Sequence, residues 1–366
     1  MVIMNVKKIS WLFCPVMFLF FMTACGSSSD EPSDNPPGGG GGGDETKVVY
    51  WNPVLEYSAP DPTCIRVDDG TYYLYGTEDT RNMPIYKSDD LLNWTFVGTA
   101  FTEATRPDFP TSVSYDDPSL WAPEIRYIKG KYVLFYSLAK WGQEWLSTVG
   151  YALSDSPEGP FTPQGFVFTS EQMGVQNSID QFFWEEDGKY YMLWGSFHGI
   201  YIVELNVADD LSSITPKMET QLQLAGNAYE GVNVWKRGGY YYLFASRGSC
   251  CEGINSTYQT VVCRSENLIG PYLNKSGGQM LDNQDEVILS GTSDNTFKGT
   301  GHNSILQLDD AGQTWMLYHA YYQPTPSGDN GRSISLDLVR WTYEGWPSIN
   351  TGIPSVSAEA PVIHKE

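Results

Sequence analysis

Basic residues are scarce in this chain. Its 366 residues include 22 Lys plus Arg against 44 Asp plus Glu, a formal charge of −22. Such a surface repels phosphate backbones, which argues against nucleic acid as a partner. Cysteine is sparse at six, and no Cys-x-x-Cys pair occurs, so a thiolate metal site is not expected. Helical periodicity is missing, and the apolar run from Ile9 to Ala24, interrupted by Pro15, is too short to span a bilayer comfortably. The glycine run from Gly38 to Gly43 lacks the strand and helix that a phosphate loop needs, and no organic cofactor is expected. What is abundant is aromatic: 16 Phe, 12 Trp and 24 Tyr accompany 36 Gly and 22 Pro. That mixture argues against disorder and against a helical bundle, and it suits short strands joined by turns.

The first 47 residues read as an address and a tether. Lys7 and Lys8 precede the apolar run, the pattern of a signal peptide over residues 1–24. Thr23 and Ala24 stand before Cys25-Gly26, which resembles a bacterial lipobox with Met22 where Leu is usual; the resemblance implies cleavage before Cys25 and its acylation. Residues 25–47 hold an acidic stretch, Ser27 to Glu31, then Pro36-Pro37 and six glycines, so they form a flexible linker. The acidic stretch resembles the surface-export signal of Bacteroidetes lipoproteins. A lipoprotein at the outer membrane, cell surface or periplasm is expected, touching the membrane through its lipid alone. Beyond Cys14 and Cys25 the cysteines are Cys64, Cys250, Cys251 and Cys263. The adjacent pair could bond to each other, bond separately to the other two, or stay reduced. None is given a catalytic role.

From residue 48 to 366 one phrase recurs: a glycine, two or three aromatic or β-branched residues, then Leu or Met with another large apolar residue. Its glycines are Gly70, Gly130, Gly188, Gly238 and Gly312, spaced by 60, 58, 50 and 74 residues. Asp-Gly or Gly-Gly before a β-rich run signals a hairpin. Five repeats at such a period without helices predict an all-β fold, a five-bladed β-propeller.

Ahead of each phrase stands one ionisable residue in an apolar setting: Asp61, Glu124, Asp180, Glu230 and His302, at 9, 6, 8, 8 and 10 residues before the glycine. In a propeller the first strand of each blade lines the central channel, so these side chains should converge there. Buried carboxylates in such company repel, which is costly as structure and useful as chemistry. Glu124, inside Trp121-Ala122-Pro123-Glu124, is expected to be structural. Two of the remaining carboxyls suffice for glycoside hydrolysis, and a third can hold up the pKa of the acid. Trp94, Trp121, Trp141 and Trp145 are candidate platforms for sugar rings.

At these residues the whole chain after the linker resembles glycoside hydrolase family 43, and within it the endo-α-1,5-L-arabinanases. Ala59-Pro60-Asp61-Pro62 matches the motif of the general base, Asn177-Ser178-Ile179-Asp180 that of the residue tuning the acid, and Tyr229-Glu230-Gly231 that of the general acid. The family inverts configuration, which implies carboxyls roughly 6.5–9.5 Å apart with a water between base and sugar. The arabinanase branch is marked by Gly248-Ser249-Cys250-Cys251-Glu252-Gly253 with Ser256-Thr257-Tyr258, by Gly301-His302-Asn303, and by Gly195-Ser196-Phe197 with Gly199-Ile200. The resemblance further implies sugar contacts from Asp61, Trp121, Gly150, Asn177, Ser178, Ile179, Asp180, Ser196, Phe197, His198 and Arg332. It also implies a central calcium or similar cation near His302. Three residues depart from the pattern: Gln181 where Pro is common, His198 where Trp is, and Cys263 where Gly is.

The expected function is therefore inverting hydrolysis of α-1,5-linked arabinofuranose chains, by a monomer acting on plant cell-wall arabinan or its oligosaccharides. An exo-acting α-L-arabinofuranosidase or β-xylosidase on the same scaffold is the alternative enzyme. A non-catalytic carbohydrate-binding propeller is the alternative from another class, disfavoured by three carboxyls kept at matched positions.

Overall fold

The computed structural model describes residues 47–110, 117–323 and 331–364. The signal segment, Cys25 and nearly all of the linker lie outside them. The folded unit begins at Lys47, one residue ahead of the expected boundary.

Five antiparallel sheets follow one another along the chain, each a blade built in sequence order. Blade 1 runs through Thr63–Arg66, Tyr72–Tyr75, Pro84–Ser88 and Thr95–Thr99, and blade 2 through Ser119–Ile128, Lys131–Ala139, Thr148–Ser154 and Thr162–Thr169. Blade 3 has Phe182–Glu186, Lys189–Trp194 and Ile200–Val207, whose outer edge pairs with both Ile214–Pro216 and Leu222–Ala225. Blade 4 has Tyr229–Arg237, Tyr240–Arg247, Gln259–Ser265 and Glu286–Leu289. In blade 5 both Phe297–Gly301 and Gln307–Leu308 pair with Thr314–Tyr322, followed by Ser333–Trp341 and Pro347–Ile349. The repeated phrase is the first hairpin and second strand of every blade. Its glycines turn the chain at positive φ, from 58° at Gly238 to 89° at Gly70, a region where a side chain is strained.

The aromatic load fills the joints between blades. Five apolar clusters each take side chains from two neighbouring blades, and the last packs Tyr72 and Leu74 of blade 1 against Trp315, Leu317, Ile334 and Leu336 of blade 5. That fifth cluster closes the ring. Each large side chain fully buried there contributes roughly 1.5–3 kcal/mol of transfer free energy.

The start of the folded unit reinforces the closure. Val49–Trp51 pairs with Ser357–Glu359, Leu55 exchanges backbone bonds with Ile334, and Asn52 both donates to and accepts from the Leu336 backbone.

The entry to each first strand differs from the expected equivalence. Asp61, Ala122, Asp180, Gly231 and His302 all have positive φ, between 41° and 61°. They are the five equivalent positions, so Glu230 stands one residue ahead of its blade's left-handed turn and Glu124 two residues beyond. That displacement takes Glu124 out of the ring. It is buried, accepts from Thr63 Oγ1 at 2.9 Å and pairs with Arg126, a structural ion pair as expected.

Candidate active site

The left-handed turns at Asp61 and Asp180 aim those side chains inwards, where together with Glu230 they line one cleft of about 570 Å³. All three are buried, at 6–9% exposure. Left-handed backbone at a non-glycine residue costs of order 1–2 kcal/mol, so each turn needs support. Support for Asp61 comes from blade 5, its neighbour across the closing seam: its N–H donates to His319 Nδ1 at 3.1 Å.

Burial alone would push the Asp61 carboxyl up, but the Arg332 guanidinium and His302 outweigh it and hold the group well below the usual carboxylate range. Arg332 Nη1 lies 2.9 Å from Oδ1 and His302 Nδ1 3.3 Å from it, while Thr77 Oγ1 donates to Oδ2 at 2.6 Å. The result is a carboxylate ionised wherever the other two are not.

Asp180 and Glu230 are pushed the other way. Burial raises both, and Asp180 is raised further by the charges of Glu230 and Asp61. Asp180 Oδ2 accepts from the Gly231 N–H at 3.1 Å, which places it against the backbone of Glu230. Ser196 Oγ donates to Glu230 Oε2 at 2.6 Å, and Asn177 Nδ2 donates to Ser196 Oγ at 2.9 Å. The buried Tyr258 hydroxyl, which makes no well-aligned hydrogen bond, stands near enough to Glu230 to favour its charged form. One cleft thus holds an ionised carboxylate beside a carboxyl pair that retains a proton above the ordinary range.

The remaining expected residues separate into three groups. Trp121, Asn177, Ile179, Ser196, Phe197, His302 and Arg332 line the cleft. Trp121 and Trp141 form a tilted pair with centroids 5.3 Å apart on one wall, and Trp141 is 75% exposed. Three expected contacts do not line the cleft. Gly150 is buried within its strand, where a Cβ would come within 2.5 Å of the Tyr136 ring. Ser178 is fully buried, its hydroxyl donating to Val175 O and accepting from Trp194 Nε1. His198 is exposed outside it. Of the candidate platforms, Trp94 packs on the blade 1–5 cluster with its indole bonded to Leu91 O, and Trp145 is outside the lining.

The cleft is also lined by Ser249, Cys250, Cys251 and Glu252. Cys250 and Cys251 are bonded to each other, whereas Cys64 and Cys263 are buried free thiols. That settles the pairing left open by the sequence.

Among the described residues no group of three or more His, Cys, Asp or Glu is arranged around a metal. The two imidazoles differ in what they could offer a cation. His319 Nδ1 accepts the Asp61 N–H, so its proton is on Nε2, which is buried without a partner. Its contact of the same nitrogen with Asp61 Oδ1 at 3.2 Å therefore adds no hydrogen bond. Burial lowers the His319 pKa to about 4, and it stays neutral. His302 Nδ1 faces the Asp61 carboxylate at 3.3 Å, and burial lowers the His302 pKa, favouring the neutral ring that can offer one nitrogen lone pair. His302 fits a hydrated cation as a single nitrogen ligand; His319 does not.

Comparison with known proteins places this geometry. Residues 50–347 match the family described as Glycosyl hydrolases family 43. The chain is similar to an extracellular exo-α-(1→5)-L-arabinofuranosidase of Cellvibrio japonicus, 34% identical over 79% of this chain and 86% of that protein. It is also similar to an extracellular endo-α-(1→5)-L-arabinanase of Bacillus subtilis, 33% identical over the same shares. Among solved structures, an α-L-arabinanase of Cellvibrio cellulosa complexed with arabinohexaose superposes with a TM-score of 0.69 at 31% identity, covering 80% of this chain and 95% of that one.

Proposed function

The chain belongs to glycosyl hydrolase family 43, and from that premise we propose that it hydrolyses α-1,5-linked L-arabinofuranosyl chains by one inverting displacement. The observation that carries the proposal is the split in proton affinity: Asp61 is held ionised while the Glu230–Asp180 pair, buried and mutually repelling, keeps one proton between its two carboxyls. Asp61 deprotonates a water on one face of the sugar. Glu230 protonates the departing oxygen on the other. Asp180, close against Glu230, keeps the acid protonated by like-charge repulsion and fixes its backbone through Gly231. Arg332 secures the Asp61 charge, and the tilted Trp121–Trp141 pair offers ring faces to the sugar chain.

The endo mode is the reading we favour, supported by the similarity to the Bacillus subtilis endo-arabinanase and by a cleft lined by both Trp121–Trp141 and the Cys250–Cys251 loop. An exo mode has its own support in the similarity to the Cellvibrio japonicus enzyme. A product time course on linear α-1,5-arabinan decides between them. A ladder of mixed oligosaccharides at early times is expected; a single short product from the outset would mean exo action, and no cleavage would remove arabinan as the substrate.

We further infer that His302 holds a hydrated calcium or similar cation, whose positive charge offsets the carboxylates around it. The lipid anchor at Cys25 and the membrane location rest on the sequence motif, and mass spectrometry of the membrane-extracted protein tests for the acyl groups.

A further inference from the structure

The polar residues that end the second strands form a ring of their own. Thr77 Oγ1 accepts the Ala122 N–H at 2.8 Å, Ser137 Oγ that of Asp180 at 3.2 Å, Ser246 Oγ that of His302 at 2.7 Å, and His319 Nδ1 that of Asp61 at 3.1 Å. In four of the five joints, therefore, this residue supports the left-handed turn of the next blade. The joint between blades 3 and 4 breaks the rule. There the Gly231 N–H goes to Asp180 Oδ2, and Ser196 Oγ accepts from Asn177 in place of a turn N–H while donating to Glu230 Oε2 at 2.6 Å.

One backbone bond of the joint is shared with blade 1, although Gly195 and Phe197 have positive φ, 132° and 52°, that the blade 1 loop lacks. The Phe197 N–H reaches Tyr229 O at 2.8 Å, just as the Glu78 N–H reaches Leu120 O at 3.1 Å in the joint between blades 1 and 2. The hydroxyl has a single proton, and Asn177 Nδ2 supplies its incoming donor at 2.9 Å, so that proton is committed to Glu230. With Oε2 accepting, the acidic proton of the neutral carboxyl sits on Oε1. Ser196 is 1% exposed and has no second proton for a sugar hydroxyl.

We propose that Ser196 is a positioning residue for Glu230, fixing the transferable proton on Oε1 and stabilising the carboxylate left behind, and that it is not a sugar contact. The inference rests on Glu230 being the general acid. It gives the departure from ring symmetry a purpose: the blade 3–4 joint exchanges a backbone support for an oriented acid.

The test compares leaving groups. On arabinan, whose sugar leaving group needs the acid, Ser196→Ala is expected to lose about 10- to 100-fold in kcat with KM within about twofold. On an arabinobioside carrying 2,4-dinitrophenolate, which departs without protonation, the same variant should stay within about threefold of wild type. Ser196→Thr, the residue type of blade 1 at this place, should recover most of the loss. A rise in KM with kcat unchanged would make Ser196 a sugar contact and overturn the proposal, as would equal losses on both substrates or failure of Thr to rescue. Wild-type cleavage with Glu230→Gln fully active would overturn the acid assignment and this role with it. Cleavage of neither substrate by wild type would overturn the proposed function itself.

Discussion

A buried carboxylate resists ionisation, and Asp61 is ionised because three neighbours insist on it. Arg332 supplies charge and a donor, His302 lowers the carboxyl further, and Thr77 donates to its second oxygen. The base is therefore ready at any pH above its depressed pKa, and activity on the acidic side falls only as pH drops through that value. Replacing Arg332 with Met removes the first lowering influence, raises the Asp61 pKa and moves the acidic limb of the kcat/KM profile to higher pH. An unmoved limb would show that another group sets it. On the alkaline side the sign reverses, because activity is lost when the raised Glu230–Asp180 pair gives up its proton. Burial and the charge of Asp61 raise Glu230, and its charge in turn raises Asp180; because that repulsion is mutual, Asp180→Asn should ease the loss of the pair's last proton and move the alkaline limb to lower pH. A shift upwards would contradict Asp180 as the residue that keeps the acid protonated.

Single residues also mark where the sequence was legible. Asp61, Asp180 and Glu230 stand out as charges in apolar settings at a repeating offset, and the structure gathers them. His319, Thr77, Ser137 and Ser246 escaped notice, although they too fall at a fixed place, 7 or 8 residues after the repeat glycine. A Ser or Thr at the end of an aromatic strand looks like surface, and only the ring shows that it holds the next blade's turn. His319 carried the clearer signal, an imidazole between Tyr318 and Ala320 in a strand that is aromatic or apolar beyond Thr314.

At the scale of elements, the loop between the second and third strands of blade 3 delivers Ser196 and Phe197, and two glycines make it possible. Gly195 has φ of 132°, and a Cβ there would lie 2.0 Å from Gly199 O. Gly195→Ala should cost roughly 1–3 kcal/mol of stability and lower kcat on arabinan as Ser196 is displaced. Gly130→Ala is the control: it is also left-handed, but in a turn with open space around it. It should lower Tm modestly and leave kcat alone. Equal effects on kcat would deny the loop its role.

The Cys250–Cys251 loop is a second such element. Its neck is held by Thr257 and Tyr258 N–H groups bonded to Ser249 O, so reduction should loosen the wall without unfolding the blade. Replacing both cysteines with Ser should raise KM for arabinan with little change in Tm; an unchanged KM would remove the loop from the substrate path. Sequence could name this loop by resemblance, yet it left the state of the adjacent cysteines open, because adjacency along the chain says nothing about which thiols meet in space. The offsets ahead of the glycines misled in a similar way. They varied from 6 to 10, and only the positive φ values identify Ala122 and Gly231, in place of Glu124 and Glu230, as members of the ring.

For the whole molecule the decisive feature is closure. Five apolar joints make a ring whose last seam lies between blades 5 and 1, and residues Val49–Leu55 are sewn across it. Tyr50 and Leu55 are each 5% exposed, so a chain beginning at Ser58 should lose about 3–6 kcal/mol of stability relative to one beginning at Lys47. Equal melting temperatures would show that the seam holds without the stitch. Because Asp61 and His319 meet across that seam, the same truncation should lower kcat as well.

Closure also makes the chemistry possible, since it brings a base from blade 1, a tuning carboxyl from blade 3 and an acid from blade 4 into one cleft. If Asp61 activates water on the face opposite the bond that Glu230 protonates, the first product must carry inverted configuration. Proton NMR of the earliest product from α-1,5-arabino-oligosaccharides reads this directly. The β-anomer appearing first, before mutarotation, is the predicted result; the α-anomer appearing first would contradict the account.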